Sequence, residues 1–225
     1  MGTTPRSSRP SARASLRRSF GYTVVEVMMA LGVLTVGATG LIAMQKTTIV
    51  GNLRARTLST ASGIAATWVD RLKVDALSWR AKTAGGTTLN STRWLKKVGE
   101  DFPTKSGDEG KWFVPAPDAA LKYSALADLH GVDFTSTDKD KQAKDGAFCT
   151  HLRMTQLLPT LIRAEVRVFW LKSHGTNVSS KYAGTLNGMP LCTDDAGVVT
   201  AVGAETTRYH FVYMTTGLIR HGAPL

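Results

Sequence analysis

The sequence changes from basic to apolar across Arg17-Arg18-Ser19-Phe20-Gly21-Tyr22-Thr23-Val24-Val25-Glu26. Two arginines and a glycine come first, and the apolar segment that begins at Tyr22 carries one carboxylate, Glu26, as its fifth residue. The 18 residues from Val27 to Met44 contain no charge and no proline. A hydrocarbon core of roughly 30 Å needs about 20 helical residues, so this segment predicts a membrane-spanning helix.

Glu26 is the feature of this segment that needs an opposite charge. A carboxylate inside a membrane costs on the order of 3 kcal/mol and is rarely retained without a partner. Cleavage of the chain after Gly21 would leave a free α-amino group on Tyr22, which is mostly charged at neutral pH. If such helices pack side by side with a stagger, this amine can meet Glu26 of a neighbouring subunit. Cleavage followed by assembly would therefore neutralise both charges.

The segment from Gly21 to Glu26 resembles the class III signal of type IV prepilins, which usually reads Gly-Phe-Thr-Leu-Ile-Glu. The residues that follow are similar to minor pilins of the PilV kind, and type II secretion pseudopilins of the GspI kind share much of the pattern. The match covers residues 17 to about 80 and is only architectural beyond them. The resemblance implies cleavage by prepilin peptidase after Gly21, N-methylation of Tyr22 and incorporation into a filament at the bacterial inner membrane. Tyr22 replaces the usual phenylalanine.

Three other interpretations of the N-terminus compete with this one. An ordinary secretory signal has a shorter apolar core and a small-residue cleavage site, whereas this run is long and contains Glu26. Arg17 and Arg18 also fit a twin-arginine signal, to which the same objections apply. The third interpretation is a signal anchor that is never cleaved.

Charge predicts which side of a membrane each end of the helix occupies. The five arginines before the apolar segment have no acid among them: Arg6, Arg9, Arg13, Arg17 and Arg18. They contribute five of the eleven net positive charges, so the chain after Gly21 is near +6. The positive-inside rule then keeps residues 1–21 in the cytoplasm and puts the head in the periplasm. The remaining charge is too modest to indicate a nucleic-acid partner.

The chain has two cysteines, Cys149 and Cys192. Two cysteines in an extracytoplasmic domain pair more often than not, so we expect a disulfide between them. The alternative is two unrelated buried thiols. No Cys-x-x-Cys motif indicates a redox site.

Residues 22 to about 80 are predicted to form one long helix with two chemically different halves. The first half, 22–45, is apolar on every side and would cross the membrane or form a filament core. In the second half, apolar residues recur with helical spacing and define one stripe that a sheet of the same chain would cover. The residues of this stripe are Leu53, Ala61, Ile64, Ala65, Trp68, Leu72 and Ala76.

Three segments near the C-terminus alternate apolar and polar residues and predict an antiparallel sheet. They are 148–155, 161–171 and 207–215. The middle segment is predicted to be half-buried, with the odd residues Arg163, Glu165 and Arg167 on the face opposite its apolar side chains. The predicted fold is α+β and type IV pilin-like, with one long N-terminal helix packed on a small antiparallel β-sheet.

The domain boundaries follow from these elements. Residues 1–21 form the cleaved leader, 22–45 the hydrophobic helix, and 46–225 the globular head. Within the head we expect a helix over 46–80, a variable loop over 81–146, and the sheet with its disulfide loop over 147–225. Ala84-Gly85-Gly86 is predicted to end the helix, and short helices are possible at 90–98 and 118–129.

We find no motif that indicates catalysis, and we expect neither an enzyme nor a cofactor. The five histidines lack metal-ligand spacing, and no phosphate loop or dinucleotide fingerprint is present. His151 and His210 are predicted to be ordinary surface histidines on strands. Trp94 and Trp112 lie beside lysines and could stack on nucleic-acid bases, but loop tryptophans more often anchor a loop to the core.

These patterns predict a structural minor pilin of a type IV pilus, whose partners are other pilins, prepilin peptidase and the assembly platform. A type II secretion pseudopilin is the alternative within the same class. An unprocessed, membrane-anchored binding domain is the alternative from another class.

Overall fold

The computed structural model describes residues 21–79, 89–100, 110–135, 138, 141–142, 145–172, 185–186, 189–190, 192–193, 196–204 and 206–220. Residues 1–20 of the predicted leader and the predicted helix end at 84–86 lie outside these ranges. The chain divides into two compact units, one up to Gly51 and one from Asn52 onward.

The first unit consists, where it is described, of the N-terminal part of helix α1, which spans Val24–Ala76. Every side chain from Val24 to Val50 is exposed, although most of them are apolar. Four threonines in this part satisfy their hydroxyl groups by donating to carbonyls three or four residues back: Thr35, Thr39, Thr47 and Thr48. Because these four hydroxyl groups are satisfied within the helix, they can lie in a hydrocarbon environment without losing hydrogen bonds.

Most of the predicted apolar stripe on the second half of α1 is buried. Ile64, Trp68 and Leu72 are buried in the core of the second unit, together with Ala61, Ala65 and Ala76. Leu53 was predicted to belong to the stripe, but it is exposed and this part of the prediction is wrong. The α-helix also ends at Ala76 rather than near residue 80, because the next three N–H groups bond to carbonyls three residues back, as in a tighter turn.

The main sheet has four antiparallel strands in the order β1-β2-β3-β6. These are β1 (Leu126–Ala127), β2 (Phe148–Leu158), β3 (Leu161–Leu171) and β6 (Tyr209–Ile219). Two short strands, β4 (Thr185–Leu186) and β5 (Met189–Pro190), form a separate hairpin. The three predicted strands are confirmed, each within a few residues, and so is the α+β class.

One face of the sheet packs on the α1 stripe. The even-numbered residues of β3, from Ile162 to Trp170, are buried in the same cluster as Trp68 and Leu72 of α1. Phe148, Leu152 and Met154 of β2 complete this cluster. The alternation read from the sequence therefore assigns the helix-facing side of β3 correctly.

The opposite face of the sheet is also partly covered, which the sequence analysis missed. A third helix, α3 (Ala196–Ala204), packs Val198 and Val202 against Phe169 and Tyr209. The sequence analysis assigns residues 147–225 to the sheet and its disulfide loop and predicts no helix there. Arg167, placed on the polar face of β3, is consequently only 3% exposed.

In the segment between helix and sheet, the short helix α2 (Lys97–Glu100) lies at the end of the predicted helical stretch 90–98. The second predicted helix, at 118–129, is wrong. Asp118 and Tyr123 instead pair across a turn, exchanging backbone hydrogen bonds of 2.8 and 2.9 Å, and the chain then enters β1.

Candidate functional site

The segment that precedes α1 fixes where the helix begins. The Glu26 N–H donates to Oγ1 of Thr23 at 3.3 Å, and the Val27 N–H donates to the carbonyl of Thr23 at 3.2 Å. Thr23 is therefore the N-cap residue of α1, and with Glu26 it matches the Ser/Thr-x-x-Glu capping-box pattern. The sequence analysis overlooked this pattern, although its spacing is readable from residues 23–26.

Glu26 is exposed, and no ion pair to it is present among the described residues. Its position in the first turn of α1 places the carboxylate near the positive end of the helix dipole. Tyr22, whose amine would be freed by cleavage, is 82% exposed. Both groups of the predicted pair are thus accessible to another molecule.

The surface that follows Glu26 is a continuous apolar cylinder. Among the described residues, α1 is the one helix long and apolar enough to cross a membrane, a property that membrane anchors share with signal sequences. A Cβ added at Gly32, Gly37 or Gly40 would have no neighbour within 4 Å. These glycines leave open space on the helix surface, which permits a second helix to approach closely.

The predicted disulfide is present. Cys149 and Cys192 are joined with a Cα–Cα distance of 5.4 Å and a sequence separation of 43 residues. Cys149 is buried on the face of the sheet that α3 covers, where it packs with Phe169 and Val198. The bond therefore ties β2 to the segment that leads into α3.

A second polar feature, a buried pair, lies beneath α3. Arg167 donates from Nη2 to Nδ1 of His151 at 2.7 Å and to the carbonyl of Val199 at 3.2 Å. The guanidinium group also lies over the ring of Trp112, 4.4 Å from its centre. Because the ring of His151 is buried and faces the positive charge of Arg167, its pKa is lowered to about 3.

The predicted surface location of His151 is therefore wrong, since its side chain is fully buried. His210 is half-buried and packs on Trp170 with ring centres 5.3 Å apart. His174 and His221 lie outside the described residues. Among those that are described, no group of three or more His, Cys, Asp or Glu side chains could hold a metal ion.

The two loop tryptophans do not form one exposed surface. Trp94 is buried and packs edge-on against Trp68, with ring centres 5.4 Å apart. Trp112 is half-buried between Arg167 and Arg153, whose guanidinium lies 4.9 Å from the ring centre. The interpretation that such tryptophans anchor loops is confirmed for Trp94.

A shallow groove of about 290 Å³ runs along α1 beside the loop that contains Asp133. Small side chains of α1 line it, among them Ser59, Gly63 and Thr67. Arg71, its one cation, forms a salt bridge of 2.6 Å with Asp133. The charge in this groove is therefore already neutralised within the chain.

No family model, no curated protein and no solved structure matches this chain. The functional argument therefore rests on the residues themselves, above all on those from Gly21 to Glu26.

Proposed function

We propose that this chain is a type IV pilin-like subunit, a minor pilin that is cleaved after Gly21 and assembled into a filament through its N-terminal helix. The observation that carries the proposal is the position of Glu26. It is the one carboxylate of a long apolar surface, in the first turn of α1 and four residues after the amine that cleavage would create. This arrangement is costly for a solitary membrane anchor and favourable for a subunit with neighbours.

Assembly would bring together two charged groups, each of which is unfavourable in lipid. The Tyr22 ammonium and the Glu26 carboxylate would be four residues apart on one chain, and a stagger between adjacent helices would bring the amine of one subunit to the carboxylate of another. In a low-dielectric surrounding, an ion pair at contact is far stronger than in water. The same pair fixes the axial offset between subunits.

The architecture of the second unit is compatible with this role. The amphipathic half of α1 packs on a four-stranded antiparallel sheet, and a disulfide joins β2 to the α3 segment. This layout is that of a helix followed by a compact head, as the proposal requires. In the proposed topology the head lies in the periplasm before assembly, and the helix lies in the inner membrane.

The direct test is the mass and N-terminal sequence of the protein recovered from cells. Cleavage after Gly21 gives a chain that begins at Tyr22, with one extra methyl group if the new amine is methylated. Gly21→Ala should yield full-length, membrane-bound precursor. A wild-type protein that begins at Met1 in cells with prepilin peptidase would contradict the proposal and favour an unprocessed anchor.

Cell fractionation then distinguishes a type IV pilus from a type II secretion system, because the subunits of both share this kind of leader. Recovery of the protein in sheared surface filaments identifies a pilus subunit. A secretion defect on deletion, with surface pili unchanged, instead identifies a type II secretion pseudopilin.

A further inference from the structure

The first charges that follow the apolar segment of α1 are all positive. After Glu26 the next charged residue is Lys46, which follows it by 20 residues. Twenty residues of α-helix rise about 30 Å, which is the thickness of a hydrocarbon core, so Lys46 marks the end of the membrane-spanning part. Arg54 and Arg56 come next, and the first acid after them is Asp70.

Arg54 and Arg56 differ from the cations farther along α1 in having no opposite charge beside them. Both side chains are exposed, and neither guanidinium forms a salt bridge with another described residue. By contrast, Arg71 pairs with Asp133 at 2.6 Å, and Lys73 pairs with Asp70 at 3.1 Å. The two arginines therefore offer uncompensated positive charge to a partner outside the chain.

Exposed leucines lie next to these arginines. Leu53 is 59% exposed and Leu58 is 51% exposed, so the head covers neither of them well. Leucine beside arginine on a helix surface is typical of segments at a lipid headgroup layer, where the aliphatic groups meet the acyl chains and the guanidinium groups stay at the polar level. Such a surrounding accounts for the exposure of Leu53, which the helical period predicted to be buried.

The chain between Lys46 and the two arginines is short enough to keep them near the membrane surface. Arg54 follows Lys46 by eight residues and Arg56 by ten, which in α-helix is no more than about 12 and 16 Å. Each Cα–Cβ bond of a helix leans toward the N-terminus, which here is the side of the apolar segment. The headgroup layer extends about 5–8 Å beyond the hydrocarbon core. Long side chains that lean this way can reach its phosphate groups.

We propose that Arg54 and Arg56 bind the phosphate groups of anionic phospholipids and so hold the start of the head against the bilayer. A guanidinium group matches a phosphate in charge and in its paired hydrogen bonds, and an anionic leaflet attracts cations that lie close to it. A second copy of this segment is a poor partner, because residues 46–69 contain three positive charges and no acid. The inference rests on the membrane-spanning helix of the proposed function, but not on cleavage or assembly.

The test uses the full-length chain in phosphatidylcholine vesicles that contain a trace of spin-labelled phosphatidylglycerol or phosphatidylcholine. Electron paramagnetic resonance measures the share of each labelled lipid that the protein immobilises. The wild type should prefer phosphatidylglycerol by at least about threefold, and the double variant Arg54→Gln with Arg56→Gln should lose at least about half of this preference. The arginines before Gly21 are the same in both proteins, so their contribution cancels in the comparison.

Two further variants serve as controls. Arg54→Lys with Arg56→Lys keeps both charges and should retain most of the preference. Lys73→Gln removes a cation that is already paired within the chain and should leave the preference unchanged. Salt of about 1 M, at which the Debye length is about 3 Å, should weaken the preference of the wild type.

Equal preference in the wild type and the double glutamine variant would overturn the proposal. If that variant were also missing from sheared filaments, the arginines would belong to a contact with a neighbouring subunit. Stronger displacement by inorganic phosphate than by chloride at equal ionic strength would identify a site for free anions and also overturn it. A precursor that is never cleaved would contradict the proposed function and leave the lipid preference as it is.

Discussion

Arg167 donates a hydrogen bond of 2.7 Å to Nδ1 of His151, and both side chains are buried between the sheet and α3. An arginine has no acceptor, so this bond requires a neutral imidazole whose proton is on Nε2. The face of the sheet beneath α3 therefore holds one fixed positive charge and one histidine that resists protonation. A dependence of stability on pH follows from this relationship.

The first prediction concerns that dependence. The pKa of His151 is lowered from 6.5 to about 3, so between these values the unfolded chain binds a proton that the folded protein excludes. Stability should consequently fall as the pH decreases below about 6.5. Between about pH 7.5 and pH 5 the expected loss is about 2 kcal/mol from this residue alone. Urea unfolding of the wild type and His151→Gln at both pH values measures it.

The glutamine variant should show a smaller loss on acidification, because it has no imidazole to protonate in the unfolded state. His130→Gln is the matched control for the removal of a histidine, since the His130 side chain is exposed. An identical pH dependence in His151→Gln and the wild type would contradict the prediction.

The second prediction compares one substitution at two helical glycines. A Cβ at Gly203 of α3 would lie 2.9 Å from Nη1 of Arg167, which is buried and held by its hydrogen bonds, whereas a Cβ at Gly63 of α1 has no neighbour within 4 Å. Gly203→Ala should therefore destabilise the protein by about 1–3 kcal/mol. Gly63→Ala should stabilise it by up to about 1 kcal/mol, because alanine favours the helix. A thermal-unfolding measurement in which both substitutions change the stability in the same direction would refute the argument.

The third prediction concerns Asp75, near the end of α1. Its carboxylate accepts the N–H groups of Arg93, Trp94 and Leu95 at 2.6, 2.8 and 3.1 Å and so attaches the following segment to the helix. Asp75→Ala would leave these donors without partners in a largely buried site. We expect a loss of at least about 3 kcal/mol in the free energy of unfolding.

Asp70→Ala is the control for this experiment, because Asp70 is exposed and makes one surface ion pair with Lys73. Replacing Asp70 by alanine removes this ion pair and should change the free energy of unfolding by less than about 1 kcal/mol. Comparable effects of the two variants on chemical unfolding would show that the Asp75 contacts are unimportant.

The fourth prediction concerns the disulfide. It closes a loop of 43 residues, for which the chain-entropy model gives about 4 kcal/mol of stabilisation. Replacing Cys149 and Cys192 together by alanine should lower the unfolding free energy by about this amount. A reducing agent should destabilise the wild type to a similar extent and leave the double variant unaffected. Equal stability of the oxidised and reduced wild type would contradict this expectation.

The fifth prediction concerns assembly. Glu26→Ala and Glu26→Gln remove the charge, so they should lower recovery in sheared filaments by at least about tenfold, while cleavage after Gly21 continues. Glu26→Asp retains the charge and should assemble better than either variant. Quantitative immunoblotting of precursor, processed protein and filament fractions measures both steps. Normal incorporation of Glu26→Gln would refute the pairing argument.

Local patterns were sufficient to predict much of this fold. The period of the stripe from Ala61 to Ala76 identified the buried side of α1, and the alternation from Ile162 to Trp170 identified the helix-facing side of β3. Both patterns work because each side chain's direction is fixed by the period of its own element. The capping of α1 by Thr23 is equally readable from the Thr-x-x-Glu spacing of residues 23–26.

Other features depend on contacts between residues distant in sequence. In the sequence, Asp75 resembles an exposed acid of an amphipathic helix. In the structure, the segment 93–95 folds onto it and donates hydrogen bonds to its carboxylate. A short helix was considered possible at 118–129, but the pairing of Leu126 with Cys149 places the end of that segment in the sheet. In the second case, tertiary pairing overrides a weak local preference for helix.

The sequence by itself predicted the apolar N-terminal helix with its single acid, most of the buried stripe that follows, the three long strands and, as an expectation, the pairing of Cys149 with Cys192. These depend on periodicity and composition, which are local properties of the chain. Only the tertiary structure decided that α3 packs on the second face of the sheet and that His151 and Arg167 are buried together. Burial and pairing depend on which distant segments meet, and no local pattern specifies that.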